Sequence, residues 1–305
     1  PNRQIGEDDR FGYDYDIYVN KATLFYQHNF RHNIFNLFWG SHIEGTTMER
    51  YGHMRNGRAQ HYSKGSSGTA KFLGGGTKFG FALIPNANHT LALGFGYENR
   101  APIAYNSFIA PRMRNDFVHG LTNETILNAE ASYRLTLGPV TAKVSGYYTM
   151  FKDLTEQSAF YNDSEGKFTY FTMTGVDKLH YGVEASLVYK VTSALSFNVL
   201  ASITEAEYTN NPLGSFMTED EQELKNDRET IYMDGARMGG TPLTALSFGV
   251  DYNVNGWYLS ANLNYYDRIY VSPSLFARKA GMVKDEGGYD ANGNPVSGLN
   301  IPSQF

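Results

Sequence analysis

Five stretches of this chain alternate apolar and polar residues, each over about ten residues or more, and that length restricts the folds open to it. From Ile126 to Leu137, Leu127, Ala129, Ala131, Tyr133 and Leu135 fall on one face, with Asn128, Glu130, Ser132 and Arg134 on the other. Val140 to Met150 repeats the pattern, with Lys143 on the polar side, and so does Leu179 to Lys190, with Glu184 and Lys190. Leu195 to Thr204 and Trp257 to Tyr265 complete the set. A helix would need apolar residues three and four apart, and these segments lack that spacing. Strands of soluble proteins average about 5 to 6 residues, whereas membrane-spanning strands need roughly 9 to 11.

The connections point the same way. Short turns are expected at Asn29–Asn33, Pro85–His89, Leu137–Pro139, Thr192–Ala194 and Asn253–Gly256. Between them lie long polar stretches at Arg50–Gly68, Arg100–Thr122, Asp153–Lys167 and Asn210–Thr241, and another after Ser272. Strict alternation of short and long connections is the asymmetry of outer-membrane barrels, with short periplasmic turns and long external loops. Tyr133, Tyr189, Tyr252 and Trp257 sit near short turns, and Tyr148 and Tyr265 lie toward the long connections, as two aromatic girdles would. The expected fold is therefore all-β: a transmembrane antiparallel up-and-down β-barrel domain over residues 1–305, contributing about ten strands.

Composition narrows the function. No run approaches the roughly 18 to 20 apolar residues of a membrane helix, so a membrane role is open only to a barrel. The chain has no cysteine, which removes disulfides and thiolate metal sites. A net charge of −5 argues against a nucleic-acid partner. The first residue is Pro1 and no charged-then-apolar leader follows, so either a signal has been removed or the sequence starts inside a longer product.

At Tyr97-Glu98-Asn99-Arg100-Ala101-Pro102 the sequence resembles the Arg-Ala-Pro segment that enters a long external loop in TonB-dependent receptors. Gly120-Leu121-Thr122-Asn123-Glu124, followed by Glu130-Ala131-Ser132-Tyr133-Arg134, is similar to that family's return strand. Gly175 to Glu184 resembles its Gly-Val-Glu strand. The style is closest to large nutrient receptors with a carboxypeptidase-regulatory-like N-terminal domain. The resemblance implies a barrel of about 22 strands, filled by a plug. No plug or TonB box is recognisable in this sequence, and the expectation is a fragment of such a barrel. It also implies import of a scarce nutrient (siderophore, cobalamin, glycan or peptide), outer-membrane lipid around the wall, a TonB complex acting through the plug, and room for a surface lipoprotein partner.

Chemistry-bearing motifs are few. Eight histidines are scattered without metal-ligand spacing, no Gly-x-Ser-x-Gly elbow occurs, and neither a metal nor a cofactor nor a catalytic residue is expected. Asp290-Ala291-Asn292-Gly293-Asn294 opens like a calcium loop but carries Pro295 where glycine belongs, and reads as a turn. The acidic run Thr218–Glu229 reads as a short solvated helix in an external loop. Gly74-Gly75-Gly76 lacks the context of a phosphate loop. In the long stretch after Arg100, Tyr105, Phe108, Arg112 and Arg114 place aromatic area beside cations, a mixture suited to an anionic or sugar-rich ligand; the competing reading is a loop packed on its neighbours and paired with carboxylates such as Asp116. The functional expectation is transport without catalysis, selected by external loops, above a polar lumen lined by Glu130, Arg134, Lys143, Glu184 and Lys190. A passive porin, a barrel enzyme, or a soluble all-β adhesin or binding module are the alternatives.

Overall fold

A computed structural model describes residues 4, 6–57, 59–162, 166–219 and 228–280. The turn expected at Asp290–Asn294 and most of the acidic run Thr218–Glu229 lie outside the described residues.

Among the described residues, thirteen strands form one antiparallel sheet. The ten that make its main path are β1 (Tyr15–His32), β2 (Phe35–Gly52), β4 (Ala70–Asn86), β5 (His89–Arg100), β6 (Glu124–Leu137), β7 (Val140–Asn162), β8 (Lys167–Lys190), β9 (Leu195–Tyr208), β12 (Pro242–Val254) and β13 (Trp257–Ile269). Every neighbour on the path is also the next long strand in sequence, which is up-and-down order. Three short strands decorate the long-connection end: β3 (Gly65–Ser66) on β2, β10 (Leu213–Thr218) on β8, and β11 (Glu229–Thr230) on β10. Among the described residues the sheet is open, with β1 and β13 at its edges.

Register shows what the alternation is for. One line of directly paired residues runs Phe35, Leu83, Leu91, Tyr133, Val144, Ala185, Ala201, Leu246 and Tyr265, crossing every long strand from β2 to β13. All nine are apolar or aromatic. The next line runs Asn36, Ala82, Ala92, Ser132, Ser145, Glu184, Ser202, Ala245 and Tyr266, and is mostly small or polar. The apolar line starts at the first residue of β2 and ends beyond the middle of β13, so each hairpin is staggered relative to the last. Such a stagger is the shear that tilts the strands of a barrel.

Among the described residues nothing packs over the apolar face. Phe95 is 47% exposed, Val183 53% and Ile203 57%. A soluble sandwich would bury this face in a core. A continuous exposed apolar surface of this extent fits lipid, not water. The buried hydrophobic clusters sit instead at the long-connection end. One gathers Phe171, Met173, Val176, Ile231 and Met233; the other gathers Ile109, Ala110, Met113, Val118 and Met217.

The short turns fall where the turn residues indicate. Asn33 and Asn255 adopt positive φ, as does Gly256 beside Asn255, the conformation of a tight hairpin turn that asparagine and glycine tolerate. The stretch Asp153–Lys167 differs from expectation. It is not a long loop, because β7 continues to Asn162 and β8 begins at Lys167. The ladder between them shifts register around Leu154, where Asp153 and Gly175 have positive φ, and then resumes. Pairing of β10 along Thr169 to Thr174 extends this hairpin sideways, so its polar residues belong to strands that stand above the regular wall.

The lumen-side face carries a repeated device. At Gly76 a Cβ would lie 2.5 Å from Glu98 Oε2 and 2.8 Å from His42 Cε1. Without it, His42 on β2 and Glu98 on β5 meet at 3.1 Å across the intervening β4. Gly182 on β8 likewise lets Tyr147 of β7 reach Thr204 of β9 at 2.8 Å. Gly249 on β12 leaves room between Asn198 and Asn262, its paired residues on either side. In each case a missing side chain on the middle strand opens space for the side chains of its two neighbours.

Candidate ligand site at the long-loop mouth

The 101–123 connection starts and ends at a register pair, Arg100 and Glu124, which also form an ion pair at 3.2 Å. These are the residues that carried the loop-entry and return-strand resemblance. Glu124, almost fully buried, also accepts a hydrogen bond from the Thr155 backbone at 3.3 Å. Above this base the loop is held at many points. Gln157 of β7 donates to the Phe108 and Ile109 carbonyls at 2.9 and 2.6 Å, and Asn106 donates to the Thr155 carbonyl at 3.0 Å.

Arg50 is the central fastening. It is 1% exposed, donates to the Pro111 carbonyl at 2.6 Å and the Ser63 carbonyl at 3.1 Å, and also bonds Asn115 Oδ1. Its guanidinium stands 4.5 Å from the Tyr15 ring centroid. One cation thus ties β2 to the 53–64 connection, to the 101–123 loop and to the start of β1. A guanidinium suits this task, since it spreads several donors in fixed directions.

The four residues singled out in the loop separate into two pairs. Phe108 is fully buried and stacks on Phe117 at 4.7 Å. Arg114 is equally buried, paired to Asp116 at 2.6 Å and lying over Tyr62 at 4.7 Å. Both build the loop's interior. Tyr105 is 46% exposed, and Arg112 is exposed over the Tyr13 ring at 5.5 Å.

Arg112 opens onto a groove that the loop does not form alone. Tyr13, Asn56, Gly57, Met113 and Tyr170 line one hollow of about 460 Å³ with it. Through Gly12 and Gly57 this adjoins a second hollow of about 510 Å³, lined by Arg10, Phe11, His53, Met54, Arg55 and Lys64. Two of these cationic or titratable groups have carboxylates at hand: Arg10 pairs with Asp14 at 2.7 Å and His53 with Asp16 at 2.7 Å. Arg55, Lys64 and Arg112 have no ion-pair partner among the described residues. Of the residues lining these hollows, Arg112 was singled out in the sequence, and Phe11, Tyr13, Arg55 and Lys64 were not. For Arg55 and Lys64 the signal was the basic character of the 50–68 stretch, and nothing local tied that stretch, or residues 11 and 13, to the 101–123 loop. Among the described residues no group of metal-ligating side chains occurs.

The polar face below this mouth presents Glu130, Arg134, Lys143, Glu184 and Lys190, with Arg134 and Lys143 directly paired in register. A staggered up-and-down wall, apolar outside and polar inside, with tight turns at one end and packed loops at the other, is that of an outer-membrane β-barrel. The chain belongs to the TonB-dependent receptor-like β-barrel family, whose model matches residues 57–294. Among solved structures it is similar to the copper transporter OprC (14% identity, TM-score 0.63, covering 84% of this chain and 36% of that one). It is also similar to the ferric-catecholate import receptor Fiu from E. coli K12 (14%, 0.57, 87% and 36%) and to the FrpB iron transporter from Neisseria meningitidis (13%, 0.51, 83% and 33%). At such identities the likeness is one of fold. The chain spans about a third of the length of these structures. No curated protein matches it in sequence.

Proposed function

We propose that this chain supplies wall and external mouth to a TonB-dependent outer-membrane transporter that imports a scarce nutrient, with selection by the loops above the lumen. The observation that carries the reading is the nine-strand apolar line, exposed at seven of its positions and half-buried at Leu83 and Ala201, backed by a small, polar line on the other face. Membership of the family supports energy coupling through TonB. The proteins of similar fold are named as transporters or receptors of copper, iron and ferric catecholate, which favours active import over passive diffusion. The wall contributes no chemistry in this mechanism. It offers a hydrogen-bonded cylinder in lipid and a hydrated interior, while ligand meets the mouth built around Tyr105 and Arg112, braced from within by Phe108 and Arg114. A lipoprotein seated over the loops and a carboxypeptidase-regulatory-like domain ahead of the barrel belong to the same proposal as its finer parts.

Two measurements test it. Outer-membrane fractions should contain the protein as a detergent-extracted band whose gel mobility shifts on boiling. Ligand-limited growth should then require both the protein and an intact TonB system. Growth that needs the protein but not TonB would make it a porin, and a freely soluble protein would end the membrane reading.

A further inference from the structure

The geometry points to an anionic ligand for the groove between the start of the chain and the loop mouth: one that offers a flat ring and several acidic groups. This deepens the reading of the mouth as the selecting site and rests on it. Three observations carry the inference. Arg55, Lys64 and Arg112 converge on two adjoining hollows with no carboxylate partner among the described residues. Exposed cations without local counter-charges remain available to charge-assisted hydrogen bonds, which outrank neutral ones in strength. Flat aromatic surface stands beside them: Phe11 is 76% exposed and Tyr13 50% exposed, although both line the groove. Aromatic faces left to solvent next to cations favour a ligand with a ring to stack and acids to pair. Finally, part of the floor is fixed. Arg50 fastens Ser63 and Pro111, residues next to Lys64 and Arg112, so the backbone carrying these two cations is braced. A pre-organised site loses less entropy when it binds. Hollows of this size lie in the range of about 300–1,000 Å³ that accommodates small molecules.

The test uses the protein purified from outer membranes in detergent, with pyrenetetrasulfonate, a fluorescent flat ring bearing sulfonates, as probe. Binding should be saturable and weaken as salt rises. The triple variant Arg55→Gln/Lys64→Gln/Arg112→Gln should bind at least about tenfold more weakly, since one charge-assisted contact is worth about a factor of ten. Tyr13→Leu should weaken binding of the pyrene probe and leave any competition by inorganic sulfate unchanged. Each variant is first checked for the heat-dependent mobility shift, and a triple variant that fails it is replaced by Arg112→Gln alone, for which about a tenfold loss is expected. Equal probe affinity in the properly assembled variant would overturn the proposal, as would equally strong binding of a neutral phenyl glycoside. TonB-dependent growth reads transport separately, so loss of the anion site leaves the import reading standing, and the converse also holds.

Discussion

At the scale of single residues, the wall depends on side chains that are absent as much as on those present. Gly182 is the clearest case, because a Cβ there would stand 2.7 Å from the Ile203 carbonyl and 3.0 Å from the Tyr147 hydroxyl. Gly182→Ala should therefore cost about 1–3 kcal/mol in reversible unfolding from detergent micelles, a typical overpacking penalty. Pairing the change with Tyr147→Phe should recover part of the loss, since the hydroxyl is one of three obstacles, beside the Ile203 carbonyl and the Thr204 hydroxyl. Arg50 makes the opposite case, a large buried cation that stabilises through many partners. Arg50→Met would leave the Ser63 and Pro111 carbonyls short of a donor, at about 1–3 kcal/mol for each unsatisfied group. The expected result is faster proteolysis within residues 53–69 and 101–123, with the heat-dependent gel shift retained. Loss of the shift would mean that Arg50 supports the whole barrel.

At the scale of elements, each long strand has two faces that should respond differently to charge. Val183 and Ser186 lie on the same strand but on opposite faces, the first in the apolar series and the second in the polar one. Val183→Lys should cost about 2–4 kcal/mol if the site lies near the bilayer midplane, while Ser186→Lys on the lumen side should be nearly neutral. Equal costs, measured by unfolding in lipid vesicles, would contradict the assignment of faces. The β7–β8 hairpin has a boundary within it at the register shift near Leu154. Below that point it is wall. Above it both faces carry buried residues such as Phe171, Thr172, Met173 and Thr174, because β10 and the hydrophobic cluster around Ile231 and Met233 pack there. Sequence periodicity made this stretch look like a loop, since water-exposed strands above a membrane need no strict apolar alternation.

At the scale of the molecule, the sheet joins its strands in sequence order and, among the described residues, leaves β1 and β13 each with one neighbour. Leu24 and Phe25 on β1 are each 74% exposed, and Trp257 and Leu263 on β13 are 73% and 72% exposed. Unpaired backbone groups in hydrocarbon cost several kcal/mol each, so an open edge has no place in lipid. Residues 1–305 expressed alone should accordingly aggregate or remain protease-sensitive, and should show no heat-dependent shift in liposomes. A stable shifted band from this chain alone would mean that its edges pair, with each other or with those of a second copy.

Much of this was legible from residues in order. Alternation fixed which side chains share a face, asparagine and glycine marked the tight turns, and the long connections marked one end of the wall. These are local properties, set by the two-residue period of a strand and the few backbone conformations a turn allows. The mouth was different. Arg112 was visible as a cation among aromatics, yet the buried positions of Phe108 and Arg114 follow from packing against Phe117 and Tyr62, and the groove exists only because residues 10–13, 53–64 and 111–113 meet. Stagger between hairpins and a few long-range hydrogen bonds, chiefly those of Arg50, bring these segments together. No local pattern encodes such contacts, so the tertiary structure alone decided which side chains face a ligand and which hold the loop in place.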